Sequence, residues 1–257
     1  MSDADALLAL ATAIAHEAGA GLRDAFGRAL AISSKSTPTD LVSEADVSTE
    51  RMIRERLERA RPDDAIMGEE GDDLAGTSGL RWVVDPLDGT VNFLFGIPQW
   101  CVSIACEDAD GVLAGVVFDP MRDETRSATR SGPPALDGAP IAAREREELA
   151  RALVATGFGY DAAVRDSQAR IAARLLPRVR DLRRMGAAAL DLAWTAAGRF
   201  DAYYERGVKH WDTAAGALIC ARAGLAVRPL DPAPPAESGL LVAAPGIVDE
   251  LLAIVGA

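Results

Sequence analysis

Two aspartates, Asp85 and Asp88, stand at the end of an apolar segment and could bind a cation. The segment reads WVVDPLDGT over residues 82–90. Such an apolar run predicts a buried strand, and Pro86 predicts that the strand ends there, because proline cannot donate to a sheet ladder. Carboxylate oxygens are ligands that Mg²⁺ and Ca²⁺ prefer. The alternative is a polar turn in which both acids are solvated.

A glycine and a hydroxyl residue, Gly89 and Thr90, follow these acids directly. A short helix is predicted over residues 91–93. Backbone N–H groups near the start of a helix attract phosphate, and the threonine hydroxyl adds a further polar group. The segment therefore predicts a divalent cation with a phosphate beside it.

A third candidate ligand, Glu69, follows a short apolar segment that predicts a strand over residues 65–68. Of the adjacent pair Glu69 and Glu70, Glu69 comes straight off the strand and is the better candidate for a metal ligand. The other acids nearby are predicted to be solvated loop residues: Asp63, Asp64, Asp72 and Asp73.

Two further aspartates, Asp46 and Asp212, lie near the predicted starts of helices. Each could be an ordinary helix cap. Alternatively, Asp46 could orient a hydroxyl or a water, and Asp212 could turn one oxygen toward a cation. The small residues at 214–216 would let the second helix approach another element closely. The local sequence leaves both alternatives open.

The composition excludes several other chemistries. With only two histidines, His16 and His210, a Ser-His-Asp relay or a histidine-rich zinc site is nearly excluded, and His16 is expected at a surface. The motifs of phosphate loops, serine-hydrolase elbows and zinc proteases are absent. The formal net charge of −12 disfavours nucleic acid and anionic membranes as partners. Any chemistry here must use carboxylates, hydroxyls and metal.

The chain is long enough for a large buried core. It has 257 residues, of which 49% are hydrophobic, and no apolar run long enough to span a bilayer. The acidic first five residues lack the basic region of a secretory signal. Three cysteines, Cys101, Cys106 and Cys220, lie in apolar segments and are expected to be reduced core residues. We therefore expect a cytoplasmic protein.

Strands alternate with helices along the chain, which predicts an α/β fold in which helices cover a sheet. An N-terminal half is expected over residues 1–145 and a C-terminal half over 146–257. Residues 131–140 and 229–235 are predicted loops. The remaining predicted strands cover residues 101–107, 112–118, 124–130, 153–156, 180–185, 201–204, 225–228 and 239–243. The predicted helices cover residues 5–26, 43–60, 165–176, 187–197, 211–223 and 245–255.

A local cluster of arginines stands out in this acidic chain. A solvated or subunit-facing surface is the favoured interpretation, with anion recognition as the alternative. Arg184 is the member most suited to a functional role, because it leads into the turn at 186–188. The cluster consists of Arg174, Arg178, Arg180, Arg183 and Arg184.

Four stretches, in this order and spacing, resemble the inositol monophosphatase family of magnesium-dependent, lithium-sensitive phosphatases. They are DLVSEAD at 40–46, GEE at 68–70, WVVDPLDGTVNF at 82–93 and WDTAAG at 211–216. Residues 158–160 and 201–205 further resemble the bacterial inositol-1-monophosphatase branch. The resemblance covers almost the whole chain. It implies a layered αβαβα sandwich, of the α/β (α+β) class, and a homodimer.

The resemblance also implies a site. Two to three Mg²⁺ ions would be held by Glu69, Asp85, the carbonyl of Leu87, Asp88 and Asp212. The substrate would be held by Asp88, Gly89, Thr90, Gly186, Ala187, Ala188, Glu205 and Asp212, with phosphate on the N–H groups of Gly89 and Thr90 and polyol hydroxyls on Glu205. Asp46 would pair with the Thr90 hydroxyl, and Lys35 matches a basic residue near the cleft.

The activity expected from this resemblance is hydrolysis of a small polyol phosphate monoester, with myo-inositol 1-phosphate as the leading candidate. A metal-activated water would attack in line, and Glu69, or Thr90 coupled to Asp46, would accept its proton. The alternatives are related phosphatases for histidinol phosphate, fructose 1,6-bisphosphate or 3′-phosphoadenosine phosphate. A non-catalytic regulatory binding protein on the same scaffold is an alternative of another class.

Overall fold

A computed structural model describes residues 3–27, 32–34 and 41–256. Lys35 and Asp40, which the sequence analysis singled out, lie outside the described residues. None of the described helices is both long and apolar enough to cross a membrane. Within the described residues there are seven α-helices: α1 Asp3–Ala25, α2 Glu44–Ala60, α3 Thr90–Leu94, α4 Ala162–Leu175, α5 Ala188–Ala196, α6 His210–Arg222 and α7 Val248–Val255. Short 3₁₀ helices cover Leu149–Arg151 and Leu176–Arg178.

The larger sheet has seven strands that follow one another in sequence order. The first pair is parallel and every later neighbour is antiparallel. The strands are β3 Ala65–Gly68, β4 Arg81–Asp88, β5 Cys101–Asp108, β6 Gly111–Asp119, β7 Glu124–Thr129, β8 Ala135–Leu136 and β9 Ala139–Pro140. They are preceded by a two-stranded antiparallel sheet, β1 Ile32–Ser34 with β2 Leu41–Ser43.

The second sheet has five strands in the spatial order β11-β10-β12-β14-β13. The first two pairs are parallel and the last two are antiparallel. Its strands are β10 Leu153–Thr156, β11 Asp181–Arg183, β12 Ala202–Arg206, β13 Ala226–Leu230 and β14 Gly239–Ala243.

Helices and sheets alternate in five layers. Helices α1 and α2 pack on one face of the seven-stranded sheet, and α5 and α6 pack between its other face and the five-stranded sheet. Helix α7 contacts both β14 and α4, which completes the outermost layer. This arrangement confirms the α/β class and the layered αβαβα sandwich. The proposed division at residue 145 stays a prediction.

Strand β4 is apolar because both of its faces are covered. Trp82 and Val84 belong to the core beneath α1 and α2, whereas Val83 belongs to the core that contains α5 and α6. Alternate residues of a strand point to opposite faces, so Asp85 continues the face of Val83 and lies on the side of the middle helices. The strand thus delivers a carboxylate into the layer between the two sheets.

Helix α6 comes very close to both of its neighbours, as its small residues predicted. A Cβ on Gly115 of β6 would lie 2.8 Å from the Ala215 Cα, and one on Gly216 would lie 2.6 Å from the Leu192 Cβ of α5. Larger side chains at these positions would push the helix outward. The small residues therefore set the depth of α6, which begins two residues before Asp212.

The prediction that the strand ends at Pro86 is wrong. Strand β4 continues to Asp88, but its pairing with β5 shifts by one residue between Asp85 and Asp88. Pro86 falls within this bulge, where no regular ladder hydrogen bond is required of it. A bulge re-aims side chains, and this one lies between the two acids.

Residues 131–140 are not wholly a loop, which corrects a second prediction. Strands β8 and β9 form a small hairpin within this range, with Leu136 opposite Ala139. Asp137 and Gly138 between them both have positive φ, 51° and 79°. Asp-Gly with alternating flanks is a strong signal for such a two-residue turn, and the signal was available in the sequence.

Two local predictions also need correction. Helix α4 begins at Ala162 rather than Arg165, because Asp161 caps it and accepts hydrogen bonds from the N–H groups of Ala163 and Val164.

Asp64 is not solvated: it is 3% exposed and pairs with Arg61. Trp82 Nε1 also donates to Asp64 Oδ2 at 2.9 Å, so this acid is part of the core boundary.

The three cysteines are free and buried, as predicted. His16 is exposed on α1, where its Nε2 lies 2.7 Å from Thr125 Oγ1. The other predicted strands and helices are present, with end points that differ by a few residues.

An ion-pair network around the buried Arg126 joins β7 to the segment just after α5. Glu124 contacts Arg126 Nη2 at 2.6 Å and Arg199 Nη1 at 2.8 Å. Arg126 is fully buried, so Glu124 is its compensating charge. Burial alone would raise the pKa of Glu124, but Arg199 and Arg126 lower it to about 2. The ionised form is therefore favoured in the folded protein.

We expect Glu124→Gln to lower the free energy of unfolding at pH 7 by about 2 kcal/mol. At about 1.4 kcal/mol for each pH unit between the two pKa values the shift corresponds to about 3.5 kcal/mol, and solvent screening of the partly exposed Glu124 and Arg199 reduces it. The folded pKa of about 2 lies below the ordinary value of 4.5. The contribution is thus present above about pH 4.5 and is lost as the pH falls toward 2.

Denaturant unfolding at several pH values measures this effect. The difference between wild type and Glu124→Gln should shrink steadily below pH 4.5. Glu148→Gln is the matched control, because Glu148 pairs with Arg151 on the open surface. A constant difference down to pH 2.5 would contradict the proposed role of Glu124.

Candidate active site

Almost all of the predicted site residues line one cavity of about 480 Å³. It lies where the end of β4, the starts of α3, α5 and α6, and strand β12 meet. Asp46 does not line the cavity, but it accepts a hydrogen bond from Thr90, which does line it. The predicted residues on the wall are Glu69, Asp85, Leu87, Asp88, Gly89, Thr90, Gly186, Ala187, Ala188, Glu205 and Asp212.

The bulge at the end of β4 shapes the first part of this wall. Asp85 is 1% exposed, and its Oδ1 accepts the Leu87 N–H at 3.0 Å. Gly89 then takes a φ of 98°, a left-handed conformation that L side chains rarely adopt, before α3 begins. A Cβ at Gly89 would also lie 2.9 Å from the Gln99 carbonyl. Glycine is therefore required for the turn that separates the acids from Thr90.

Asp88 binds the start of α5 from a hundred residues away in the sequence. Its Oδ1 accepts the N–H of Ala188 at 3.0 Å, and its Oδ2 accepts those of Ala189 at 2.8 Å and Leu190 at 3.3 Å. Burial raises the pKa of Asp88 to about 6, although these N–H groups act in the opposite direction. The Ala188 N–H is thus already used within the protein.

Thr90 and Asp46 form the pair that the family resemblance implies. Thr90 Oγ1 lies 2.8 Å from Asp46 Oδ1 and 3.1 Å from the Leu87 carbonyl oxygen. Asp46 is fully buried near the start of α2. The hydroxyl has two acceptors and one proton, so its own oxygen lone pairs are free to accept from the cavity.

Glu205 lies on β12 at the opposite side of the cavity. The Tyr203 hydroxyl, two residues earlier on the same strand face, donates to Glu205 Oε2 at 2.9 Å. Burial raises the pKa of Glu205 to about 7, while the Tyr203 hydrogen bond and the Arg184 charge oppose this rise. The carboxyl group is therefore poised between its two protonation states near neutral pH.

Asp212 lies in the first turn of α6, and its Oδ2 accepts the Lys209 N–H at 2.6 Å. It is thus a helix-start residue, as one interpretation predicted, while it also lines the cavity. Burial raises its pKa well above the usual range, and the charges of Asp88 and Glu69 add to this rise. The two alternatives for Asp212 are compatible.

The acids of the cavity repel one another. Burial raises the pKa of Asp85 well above its usual range, and the charges of Glu69, Asp88 and Asp212 raise it further. Among the described residues, no group of three or more acidic, cysteine or histidine side chains is close enough together to form a ready metal-binding cluster. The fit to a divalent cation rests instead on this repulsion, which a cation would relieve, and on a donor set made only of oxygen atoms.

One supporting residue, Glu50 of α2, was missed in the sequence. It is 2% exposed and accepts the N–H groups of Glu70 at 2.7 Å and Gly71 at 2.9 Å. Arg54, four residues on, donates to the same carboxylate at 2.7 Å. Glu50 therefore fixes the loop that carries Glu69. Only its helical spacing to Arg54 was visible in the sequence, and that spacing is common on exposed helices.

The outer wall of the cavity was predicted only in part: Arg184, Trp211 and residues 158–160 were noted from the sequence, and the other residues of this wall were not. It combines aromatic and apolar groups with an ion pair between Lys209 and Glu237, whose Nζ and Oε2 are 2.5 Å apart. Its residues include Phe158, Tyr160, Asp161, Val164, Arg184, Trp211 and Pro235. These residues come from α4, α6 and several loops that are distant in sequence, so no single local pattern connects them.

The structure divides the predicted arginine cluster. Arg178 pairs with Glu250 and Arg183 with Asp181, both on the surface. Arg174 and Arg180 donate to the backbone carbonyls of Ile254 and Arg151. Arg184 alone of the five lines the cavity. The favoured interpretation as a surface therefore holds for four members of the cluster.

Comparison with known proteins decides the family. Residues 3–254 match the model of the inositol monophosphatase family.

The chain belongs to the inositol monophosphatase family.

The relatives that resemble this chain carry different protein names. The inositol-1-monophosphatase SuhB of Mycobacterium tuberculosis is 48% identical, over 87% of this chain and 80% of its own length. A protein of Pseudomonas aeruginosa named Nus factor SuhB is 42% identical, over 72% of this chain and 70% of its own length. The structure of the extragenic suppressor protein suhB from Bartonella henselae superposes with a TM-score of 0.90, at 32% identity, and covers 97% of this chain and 98% of that one.

Gly157 offers a test of whether Glu205 contacts the substrate. A Cβ at Gly157 would overlap the Glu205 carboxylate. We expect Gly157→Ala to displace Glu205 and to raise the KM for a polyol phosphate by about tenfold or more. Steady-state kinetics measure this change. Gly21→Ala is the matched control, because a Cβ at Gly21 in α1 meets nothing within 4 Å. An unchanged KM in Gly157→Ala would show that Glu205 does not contact the substrate.

Proposed function

We propose that this protein hydrolyses a small polyol phosphate monoester, namely myo-inositol 1-phosphate, to inositol and phosphate in a Mg²⁺-dependent reaction. The proposal is supported above all by one observation. Glu69, Asp85, Asp88 and Asp212, from three separate parts of the chain, line the same cavity as Thr90 and Glu205. Family membership supports a phosphatase in general terms.

The metal sites of this proposal use the oxygen donors of the inner wall. Glu69, Asp85 and the Leu87 carbonyl would hold one ion, and Asp85, Asp88 and Asp212 would hold a second. A third ion would lie near Glu69. When bound, Mg²⁺ polarises the phosphoryl oxygens, makes water more acidic and neutralises the leaving oxygen. A bound cation would also offset the burial and the neighbouring acidic charges that raise the pKa of Asp85.

Thr90 coupled to Asp46 would accept the proton of the attacking water. The Thr90 hydroxyl can donate to Asp46 while it accepts from a water in the cavity. Glu69 is the alternative proton acceptor. The water oxygen forms the new bond to phosphorus, the bond from phosphorus to the polyol oxygen breaks on the opposite side, and that oxygen takes up a proton. No covalent phosphoenzyme is required.

The substrate would be oriented from both ends. The N–H groups of Gly89 and Thr90 would hold phosphate oxygens, and Glu205 would accept polyol hydroxyls. Glu205 is fixed for this purpose by Tyr203. The backbone of Gly186 and Ala187 would line the polyol side, whereas the Ala188 N–H is used by Asp88.

Further parts of the proposal rest on the same family resemblance. We infer a homodimer, supported by Phe95 and Ile97, which are 73% and 47% exposed in the turn after α3. Inhibition by Li⁺ and a cytoplasmic location are also part of the proposal, the latter supported by three free buried cysteines. A non-catalytic binding role is the alternative, because some relatives are named Nus factor SuhB.

We expect Asp85→Asn to lower Mg²⁺-dependent phosphate release by at least about 100-fold, because changes in residues that only support a metal ligand already cost about 10–100-fold. Asparagine keeps an oxygen that can accept the Leu87 N–H, so the fold should persist. The assay uses myo-inositol 1-phosphate, histidinol phosphate, fructose 1,6-bisphosphate and 3′-phosphoadenosine phosphate, with Mg²⁺ and with chelator.

Asp73→Asn is the control for this experiment, because Asp73 is exposed on the loop after β3. Equal phosphate release with chelator would contradict the metal dependence. Absence of release from every substrate would favour the binding role, and preference for another member of the panel would correct the substrate.

The pKa of Glu205 gives a pH prediction. Since the pKa is raised to about 7, the ionised fraction that accepts two hydroxyls grows as the pH rises through 7. Saturating Mg²⁺ would offset the charge of Asp88 and so lower the pKa of Glu205. We therefore expect the KM for myo-inositol 1-phosphate to fall as the pH rises toward 7 in wild type but not in Glu205→Gln. Titration of the substrate phosphate affects both proteins, so their difference isolates Glu205. Identical pH profiles of KM would contradict its role.

A further inference from the structure

A buried acid, Glu107, joins the larger sheet to the start of α6. Glu107 lies near the end of β5 and is 6% exposed. It stands directly opposite Arg81 across the β4–β5 pair, and Arg81 Nε donates to its Oε1 at 2.7 Å. Its other oxygen, Oε2, is 2.8 Å from His210 Nε2. One carboxylate thus connects two strands with a helix from the other end of the chain.

His210 and Asp212 point to different sides of the same helical turn. His210 is the first residue of α6 and Asp212 the third. Two residues along an α-helix correspond to a rotation of about 200°, so the two side chains face nearly opposite directions. His210 reaches back to Glu107 in the sheet, whereas Asp212 lines the cavity.

Other polar contacts at the start of α6 lie on the cavity side: Lys209, just before the helix, pairs with Glu237, and its backbone N–H donates to Asp212 itself. The ammonium group of Lys209 cannot accept hydrogen bonds, so this side chain does not cap the free N–H groups at the start of the helix. The close contacts at Ala215 and Gly216 lie in the next turn and fix the depth of the helix, but not the direction of its first residues. The carboxylate of Glu107 near the positive end of the helix is also electrostatically favourable.

We infer that Glu107 and His210 form a positioning pair that sets the orientation of Asp212 toward Asp85 and Asp88, and thereby the affinity for Mg²⁺. This inference rests on the proposed function, since it assigns a purpose to a proposed metal ligand. Neither residue lines the cavity, so the pair acts only through the placement of the helix.

Isothermal titration of the full-length protein with Mg²⁺, without substrate, tests the pair. We expect His210→Ala to weaken binding by about tenfold, the size typical for residues that orient a metal ligand. His210→Gln should restore binding to within about twofold, because its amide nitrogen can donate from nearly the same place. His16→Ala, the control, should bind as wild type does, since His16 contacts Thr125 away from the cavity.

Phosphate release as a function of Mg²⁺ concentration gives a second readout. In His210→Ala, the Mg²⁺ concentration for half-maximal activity should rise about tenfold while kcat at saturating Mg²⁺ stays near that of wild type. A purely structural loss would instead lower kcat and be insensitive to Mg²⁺. Glu107→Gln should weaken Mg²⁺ binding in the same direction, and it carries the test if His210→Ala fails to fold.

Three outcomes would overturn the inference. Mg²⁺ binding by His210→Ala at wild-type strength would do so, as would failure of His210→Gln to restore binding, or an equal loss in His16→Ala. In each of these cases wild type still binds Mg²⁺, and the proposed function stands. If wild type itself binds no Mg²⁺, both proposals fail together.

Discussion

The contact between the Asp88 carboxylate and the start of α5 is the constraint on which the rest of the structure depends. Ala187, at the position before α5, has no side chain that could cap the helix. Asp88 supplies this cap from β4, through three backbone N–H groups. Such a cap is worth about 0.5–2 kcal/mol, and its negative charge suits the helix start. The same contact ties the larger sheet to the middle helix layer, so fold and site share one group.

Hydrogen bonds from backbone N–H groups also allow Asp85 and Asp212 to be buried close together. Leu87, in the bulge of β4, donates to Asp85, and Lys209, just before α6, donates to Asp212. These bonds favour the ionised forms, while burial and mutual repulsion oppose them. Because the opposing effects win for Asp85 and Asp212, the site is electrostatically unstable by itself. Binding sites often accept such a loss of stability in exchange for affinity.

Residue patterns predicted the elements of this fold well, because each element has a local signal. The two-sided burial of β4 is visible as an apolar run, and the small residues of α6 correctly predicted close packing. Local signals failed where tertiary context decided the outcome. Pro86 is tolerated because a bulge relieves it, and Asp64 is buried because Arg61 and Trp82 compensate its charge.

The residues of the site also divide into those that local sequence signals predicted and those that depend on tertiary contacts. Asp85, Asp88 and Thr90 lie in one short stretch whose residue types already predicted a cation and phosphate site. The family resemblance added Glu69, Glu205 and Asp212 to this predicted site. Residues that support these groups from outside the motifs were not predicted. Glu50 and Glu107 act on loops and helices distant in sequence, and the sequence records such contacts only as ordinary charged residues on a helix and a strand.

The hairpin of β8 and β9 has a consequence for association of the protein with itself. A sheet edge with free N–H and C=O groups can recruit strands from other molecules and so promote aggregation. Here the edge is β9, which is only two residues long and ends in Pro140, a residue without an N–H group. At the opposite edge, β3 is partly covered by the bridge between Ile66 and Leu74. Both borders of the seven-stranded sheet therefore resist fibril-like growth, which helps this acidic protein to stay dispersed.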